Sequence, residues 1–277
     1  MADQYAVIGN PVEHSLSPAI HAAFARATGQ DVAYGKILAP LDGFAAAARK
    51  FFGEGGKGLN VTLPFKRQAW DLVSARPGYA FDAEAVNTIK TEGDLLVGHN
   101  TDGIGLITDL EKNLGFVIEN KRVLVMGAGG ATYGVVHPIL DRHPALTVVA
   151  NRTLEKALRL VAHFQTLVSS SVGGLSAEPY NHLVGAQFDL VINATSAGLK
   201  NEMPPLPGTV FAKGALAYDM VYGKTTPFMK FAAERGAKAV DGLGMLVEQA
   251  AESFLIWRGV RPETAPVIRA LRRKAEE

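Results

Sequence analysis

Arg122-Val123-Leu124-Val125-Met126-Gly127-Ala128-Gly129-Gly130-Ala131 reads as a strand that runs straight into a glycine turn and then a helix. Its apolar run, without polar alternation, suits a strand buried on both faces of a parallel sheet. Small residues in the turn let the backbone approach a pyrophosphate, and the helix N-terminus supplies free amides and partial positive charge. The third glycine of G-x-G-x-x-G is replaced by Thr132. A glycine turn alone is only a tight strand-to-helix connection. Its flanks turn it into a dinucleotide site.

Working outward, Leu146 to Ala150, Phe188 to Asn193, Leu216 to Met220 and Lys238 to Asp241 read as further strands, with a helix from Leu154. Such alternation predicts parallel sheets covered by helices with right-handed crossovers. An NAD site usually carries an acid about 20 residues beyond the glycines, on the ribose 2′-hydroxyl. Here the strand ends in Asn151-Arg152-Thr153, with Lys156 one turn later. These groups suit a 2′-phosphate, so NADP is favoured over NAD; the plain alternative for Arg152 is a solvated surface charge. Asn193-Ala194-Thr195-Ser196-Ala197-Gly198 ends another buried strand, where ligands of open parallel sheets sit.

The N-terminal part alternates too. Strands are predicted at Tyr5 to Ile8, Ala33 to Ile37 and Leu59 to Leu63, and helices at Pro18 to Ala27, Phe44 to Phe52 and through Trp70 to Val73. Thr88 to Lys90 and Leu95 to Gly98 form a hairpin across Glu92-Gly93-Asp94. In Gly58-Leu59-Asn60-Val61-Thr62-Leu63-Pro64-Phe65-Lys66, strand alternation sends Val61 and Leu63 to a core and Asn60 and Thr62 to the other face. Pro64 stops the strand and fits the first turn of a helix. Asn60, Thr62 and Lys66 then converge on one region, which suits a polyhydroxylated or carbonyl-bearing small molecule.

Ser15-Leu16-Ser17-Pro18 has two readings. Ser17 is a good N-cap with Pro18 at N1, or Ser15 and Ser17 together hold a carboxylate at the helix N-terminus. Lys66 and Asp102 are the chemical pair. Hydride transfer to a ketone leaves negative charge on oxygen, which a proton donor neutralises and a fixed cation stabilises. Their plain alternative is a structural ion pair.

Bulk properties narrow the classes. A chain of 277 residues suggests about two domains. A net charge of +1 gives no electrostatic case for nucleic acid or anionic membrane, and no apolar run is long enough to span a bilayer. Met1-Ala2-Asp3-Gln4 does not begin a secretory leader, so a cytoplasmic location is expected. With no cysteine, disulfides and thiolate chemistry are excluded. The histidines form no metal-binding pair with a nearby Glu, and no metal is expected.

These segments together resemble the shikimate dehydrogenase family, from Tyr5 to about Ala251. The motifs are Gly9-Asn10-Pro11 with Ser15-Leu16-Ser17-Pro18, Asn60-Val61-Thr62-Leu63-Pro64-Phe65-Lys66, Val86-Asn87-Thr88, Asn100-Thr101-Asp102-Gly103, the Gly127 to Ala131 turn, Asn151-Arg152-Thr153, Asn193-Ala194-Thr195-Ser196, Tyr218-Asp219-Met220 and Gly242-Leu243-Gly244-Met245-Leu246. The resemblance implies reversible NADPH-dependent reduction of 3-dehydroshikimate to shikimate, in aromatic amino-acid biosynthesis. It implies a two-domain α/β fold: an N-terminal substrate-binding and catalytic domain, 1–102 with 243–277, and a Rossmann-like doubly wound NADP domain, 103–242, with an interdomain cleft. Lys66 would be catalytic, with Asp102 beside it. Ser15 and Ser17 would hold the substrate carboxylate. Asn60, Thr62, Asn87, Asp102 and Gln249 would hold or orient the ring hydroxyls, with Tyr222 close by. Gly127, Ala128, Gly129, Gly130 and Ala131, then Asn151, Arg152, Thr153 and Lys156, then Thr195, Met220 and Gly242, would line the cofactor. Many relatives carry arginine at Lys156; lysine keeps the charge but loses the bidentate fork. The rivals are a quinate/shikimate dehydrogenase using NAD and a nucleotide-binding module without catalysis. Monomer and homodimer are both compatible with the sequence.

Overall fold

The computed structural model describes residues 2–167 and 173–276. The chain divides into two compact units, Met1–Leu106 with Leu246–Glu277, and Ile107–Met245.

In the first unit, β1 (Asp3–Gly9), β2 (Val32–Leu38), β3 (Gly58–Val61), β4 (Thr88–Glu92) and β5 (Leu95–His99) form one sheet in the order β2-β1-β3-β4-β5. β1 pairs in parallel with β2 and β3, while β3–β4 and β4–β5 are antiparallel. The sheet is therefore mixed: β4 runs against β3 although two helices lie between them in the chain, and the hairpin then turns β5 back against β4. The helices are α1 (Ser17–Thr28), α2 (Phe44–Gly53), α3 (Lys66–Leu72), the short α4 (Tyr79–Ala83) and α5 (Asp102–Thr108), which continues as a π-helical turn over Asp109–Asn113.

The second unit holds β6 (Arg122–Met126), β7 (Leu146–Ala150), β8 (Gly174–Glu178), β9 (Phe188–Asn193), β10 (Phe211–Asp219) and β11 (Lys238–Val240), with α6 (Gly130–Leu140), α7 (Leu154–Gln165) and α8 (Pro227–Ala233). Its six-stranded sheet runs β11-β10-β9-β6-β7-β8, every pairing parallel. The chain winds outward from β6 to β8, then returns to the other side of β6 at β9. That is the doubly wound Rossmann-like order, with its topological switch beside β6. Both faces are covered. Leu124, Met126, Val148 and Val191 pack in one core, and Val149 packs with Val136, Leu140 and Phe164 in another. The helices α9 (Leu243–Arg258) and α10 (Ala265–Glu276) end the chain.

β3 shows how the sequence sets up the site. Leu59 and Val61 face a core with Ile8, Phe44, Phe65 and Ile89. Asn60 points the other way, toward Ser253 of α9. On that face Gly58 makes room for an indole: a Cβ there would lie 2.4 Å from Trp257 Nε1. The alternation does not reach Leu63, which is 62% exposed instead of buried. β3 ends at Val61, after its last pairing with Ile8, and the Phe65 amide closes a turn on the Thr62 carbonyl at 3.0 Å. The side chain that fills the core is therefore Phe65. Pro64 likewise precedes the helix: Phe65 is its cap and Lys66 its first residue. Ser17 is also not an N-cap. It is the first residue of α1, Leu16 is the cap, and no side chain caps that end.

Candidate active site

Lys66 opens α3 and Asp102 opens α5, and the two meet in the first unit: Nζ donates to Asp102 Oδ2 at 2.5 Å. The ammonium side chain is 22% exposed and the carboxylate 9%. The pair is thus neither a surface ion pair, which would contribute little, nor sealed from a ligand. Asp102 is held from behind. Its Oδ1 accepts from Asn87 Nδ2 at 2.9 Å, and its backbone amide donates to Asn100 Oδ1 at 3.1 Å. An ammonium has three donors. Asp102 is its hydrogen-bond partner among the described residues, which leaves donors to face a ligand oxygen.

Asn87 is the hub. Its Nδ2 also donates to Thr101 Oγ1 at 2.9 Å and Gln249 Oε1 at 3.3 Å, while Oδ1 accepts from the Thr101 amide at 2.9 Å and Thr88 Oγ1 at 3.0 Å. Asn60 joins through Nδ2, which donates to Ser253 Oγ at 3.0 Å and Thr88 Oγ1 at 3.1 Å. Asn60 and Asn87 are both buried. Leaving one such amide group unpaired would cost about 1–3 kcal/mol, so the network holds their orientations. The structure thereby joins Asn60, Lys66, Asn87, Asp102 and Gln249 in one hydrogen-bonded set. Thr62 is not joined to this set; its methyl faces Gly9, where a Cβ would come within 2.4 Å of it.

The serines connect through a residue the motifs do not reveal. Tyr34, on β2, donates from its hydroxyl to Asn60 Oδ1 at 2.7 Å and interacts with the Ser17 side chain. Ser15 Oγ accepts from the Ser17 amide at 3.3 Å. The Tyr34 ring stacks on His21 with centroids 4.2 Å apart. His21 is fully buried, with the Asn60 side chain beside its ring. Burial pushes its pKa down to about 3, against a smaller opposing pull from Asn60, so the imidazole is neutral at physiological pH. Tyr34 carries no spacing signal in its strand. Ser253 had one, since it follows Gln249 by one helical turn on α9.

In the second unit, Gly127 takes φ +106°, and a Cβ there would crowd the Ala194 carbonyl at 3.2 Å. Gly129 and Gly130 differ: a Cβ on either would meet nothing within 4 Å. That is open space above the first amides of α6, which lack intrahelical partners and suit a pyrophosphate. Ala128 and Ala131 flank these glycines. Thr132, in the third-glycine place, is buried with its hydroxyl donating to the Gly127 carbonyl at 3.0 Å. The side chain thus braces the turn and leaves the space above the helix free.

Asn151 and Arg152 line a cavity of about 510 Å³ with Pro179, Tyr180 and Leu206. Asn151 Nδ2 donates to the Thr153 carbonyl at 2.8 Å, and Thr153 caps α7. Arg152 and Lys156 are exposed. Burial pushes the Tyr180 phenol up to about 12, with the Arg152 charge opposing. Thr195 follows β9, Met220 and Tyr222 follow β10, and Gly242 follows β11. The Met220 amide donates to the Asn193 carbonyl at 3.0 Å, and a Cβ on Gly242 would strike the Met220 carbonyl at 2.5 Å. The chain therefore packs tightly along this edge of the sheet, and the residues present fit a dinucleotide.

Family models match three stretches: "Shikimate dehydrogenase substrate binding domain" over residues 7–89, "Shikimate / quinate 5-dehydrogenase" over 109–200 and "Shikimate 5'-dehydrogenase C-terminal domain" over 242–272. The chain is 57% identical over 274 residues to a shikimate dehydrogenase (NADP(+)) of Alkalilimnicola ehrlichii, covering 98% of this chain and 99% of the relative. Among solved structures, the Ael1 enzyme from Pseudomonas putida superposes with a TM-score of 0.92 at 48% identity, covering 98% of each chain. A shikimate 5-dehydrogenase from Thermus thermophilus, in complex with NADP(H) and shikimate, gives 0.86 at 33% identity, covering 98% of this chain and 99% of that one. The chain therefore belongs to the shikimate dehydrogenase family.

Proposed function

We propose that this protein catalyses the reversible NADPH-dependent reduction of 3-dehydroshikimate to shikimate, a step of aromatic amino-acid biosynthesis. The observation that carries the reading is the Lys66–Asp102 pair at 2.5 Å, fixed from behind by Asn87, in a chain with this kinship.

The discontinuous unit binds the substrate and the Ile107–Met245 unit binds the cofactor. Ser15 and Ser17 hold the carboxylate. Asn60, Thr62, Asn87, Asp102 and Gln249 hold or orient the ring hydroxyls, and Tyr222 is a proposed further contact. Gly127, Ala128, Gly129, Gly130 and Ala131 receive the pyrophosphate. Asn151, Arg152, Thr153 and Lys156 hold the adenosine end with its 2′-phosphate, while Thr195, Met220 and Gly242 line the nicotinamide end. When bound, the nicotinamide cofactor supplies or accepts the hydride. Lys66 holds a proton at Nζ against the ketone oxygen and stabilises the charge that gathers there. Asp102 keeps the ammonium aimed, and Asn87 keeps Asp102 in place. The protein acts in the cytoplasm as a monomer or homodimer. Among the described residues no helix is long and apolar enough to cross a membrane.

Initial rates with shikimate and with quinate, each with NADP+ and with NAD+, test the reading. The NADP+–shikimate combination is expected to exceed the others in kcat/KM by about tenfold or more, the ratio that ~1.4 kcal/mol commands. A preference for NAD+, or comparable rates on quinate, would favour the quinate/shikimate alternative. No turnover with any combination would leave a binding module.

A further inference from the structure

Asp219 ends β10 directly after the apolar run Ala215-Leu216-Ala217-Tyr218, and it is fully buried. Its Oδ2 accepts from Thr226 Oγ1 at 2.5 Å and Asn193 Nδ2 at 3.1 Å, while Oδ1 accepts from the Val221 amide at 3.0 Å. Burial raises its pKa, and these hydrogen bonds oppose the rise. Asn193, equally buried, ends the neighbouring β9, and its Oδ1 accepts twice from one residue: the Thr195 amide at 3.2 Å and the Thr195 hydroxyl at 2.7 Å. The loops leaving the two strands also pack on each other. A Cβ on Gly198 would meet Thr226 Cγ2 at 3.2 Å and Val221 Cγ2 at 3.3 Å.

The order of donors and acceptors matters here. A carboxylate is an acceptor only. It therefore fixes which end of the Asn193 amide faces it, the NH2, and turns the carbonyl oxygen toward Thr195. The Thr195 hydroxyl then spends its single proton on Asn193. What it can offer outward is lone pairs, one of which already receives the Ala197 amide at 3.3 Å. We propose that Asp219 is a positioning residue for cofactor binding: through Asn193 it commits the Thr195 proton inward, so that Thr195 accepts from a hydrogen-bond donor on NADP, a ribose hydroxyl or a carboxamide NH2. This rests on the reading that the carboxyl ends of β9 and β10 hold the cofactor. Stability alone does not call for the arrangement, because a buried carboxylate is costly and an apolar residue of similar volume is often as stabilising.

Calorimetric titration of NADP+ into the purified full-length protein tests it, together with thermal unfolding and the KM for each substrate. Asp219→Asn is expected to raise the NADP+ Kd about tenfold, the scale of one misaligned hydrogen bond, with little change in the KM for shikimate. The exchange Asn193→Asp with Asp219→Asn restores the pairing. The new amide donates to Asp at 193 and to Thr226 Oγ1, its carbonyl oxygen still accepts from Val221, and Asp at 193 still accepts from Thr195. The double variant is expected to regain NADP+ affinity to within about threefold, a coupling that independent sites would not show. A purely structural role would lower the melting temperature without that regain, and would overturn the proposal, as would an Asp219→Asn Kd equal to wild type. Should Asp219→Asn fail to fold, Thr195→Val, which removes the acceptor but keeps the shape, carries the same expectation, and unchanged affinity in it is equally fatal. If the wild-type protein itself does not bind NADP+, the cofactor reading fails first and this proposal with it.

Discussion

Replacing Lys66 with alanine is expected to lower kcat about a thousandfold or more, within the range that loss of a proton donor and of a fixed stabilising charge together command. The ammonium sits 2.5 Å from Asp102 Oδ2 and is only partly exposed, so bulk water does not replace it in the same geometry. NADP+ affinity, read by calorimetry, is expected to stay near wild type, because the glycine turn lies in the other unit. Lys66→Arg separates the two roles of the group. It keeps the charge but holds its proton far too tightly to exchange it. Near-native turnover in Lys66→Ala would show that the lysine is a structural partner of Asp102 and nothing more.

Arg152→Ala is expected to raise the KM for NADP+ about 10- to 100-fold and to leave the KM for NAD+ little changed. One charge-assisted hydrogen bond is worth about 1.5–3 kcal/mol. Arg152 stands two residues beyond β7, lines the cavity beside Asn151, and is exposed. Equal losses for the two cofactors, measured by initial rates at saturating shikimate, would show that Arg152 does not meet a 2′-phosphate. Lys156 stands on the first turn of α7 and adds charge without the fork. Some preference for NADP+ is therefore expected to survive the substitution.

The second unit was legible in the sequence where burial is complete. β6, β7 and β9 are mostly apolar and mostly buried, broken only by Arg122, Thr147, Asp189 and Asn193, and the apolar cores of the three strands mark them in the sequence. β8, Gly-Leu-Ser-Ala-Glu, gave no such signal, because it lies at the sheet edge with no fully buried residue. Leu63 misled because alternation holds only along extended strand, and the chain leaves it after Val61 to enter the turn that the Phe65 amide closes on the Thr62 carbonyl. The site divides along similar lines. Asn60, Lys66 and Asn87 stand in recognisable segments. That Lys66 meets Asp102, 36 residues away, and that Gln249 reaches Asn87 from 162 residues off, follows from the fold and not from local spacing. Tyr34 serves the site through its partners, which are invisible until the chain is folded, whereas Ser253 stands one helical turn past Gln249 on α9. Asp219 was visible as a carboxylate closing an apolar strand, but its effect on Thr195 depends on the orientation of an amide between them.

A crystal structure of the protein with shikimate and NADP+ bound measures the placement of the substrate on the first unit. The expected density shows the shikimate carboxylate on the Ser15 and Ser17 hydroxyls, with the oxidisable ring hydroxyl within hydrogen-bonding distance of Lys66 Nζ and Asp102. Shikimate lodged away from that pair, or turned so that its carboxylate rather than its hydroxyl meets Lys66, would contradict the chemistry assigned to these residues.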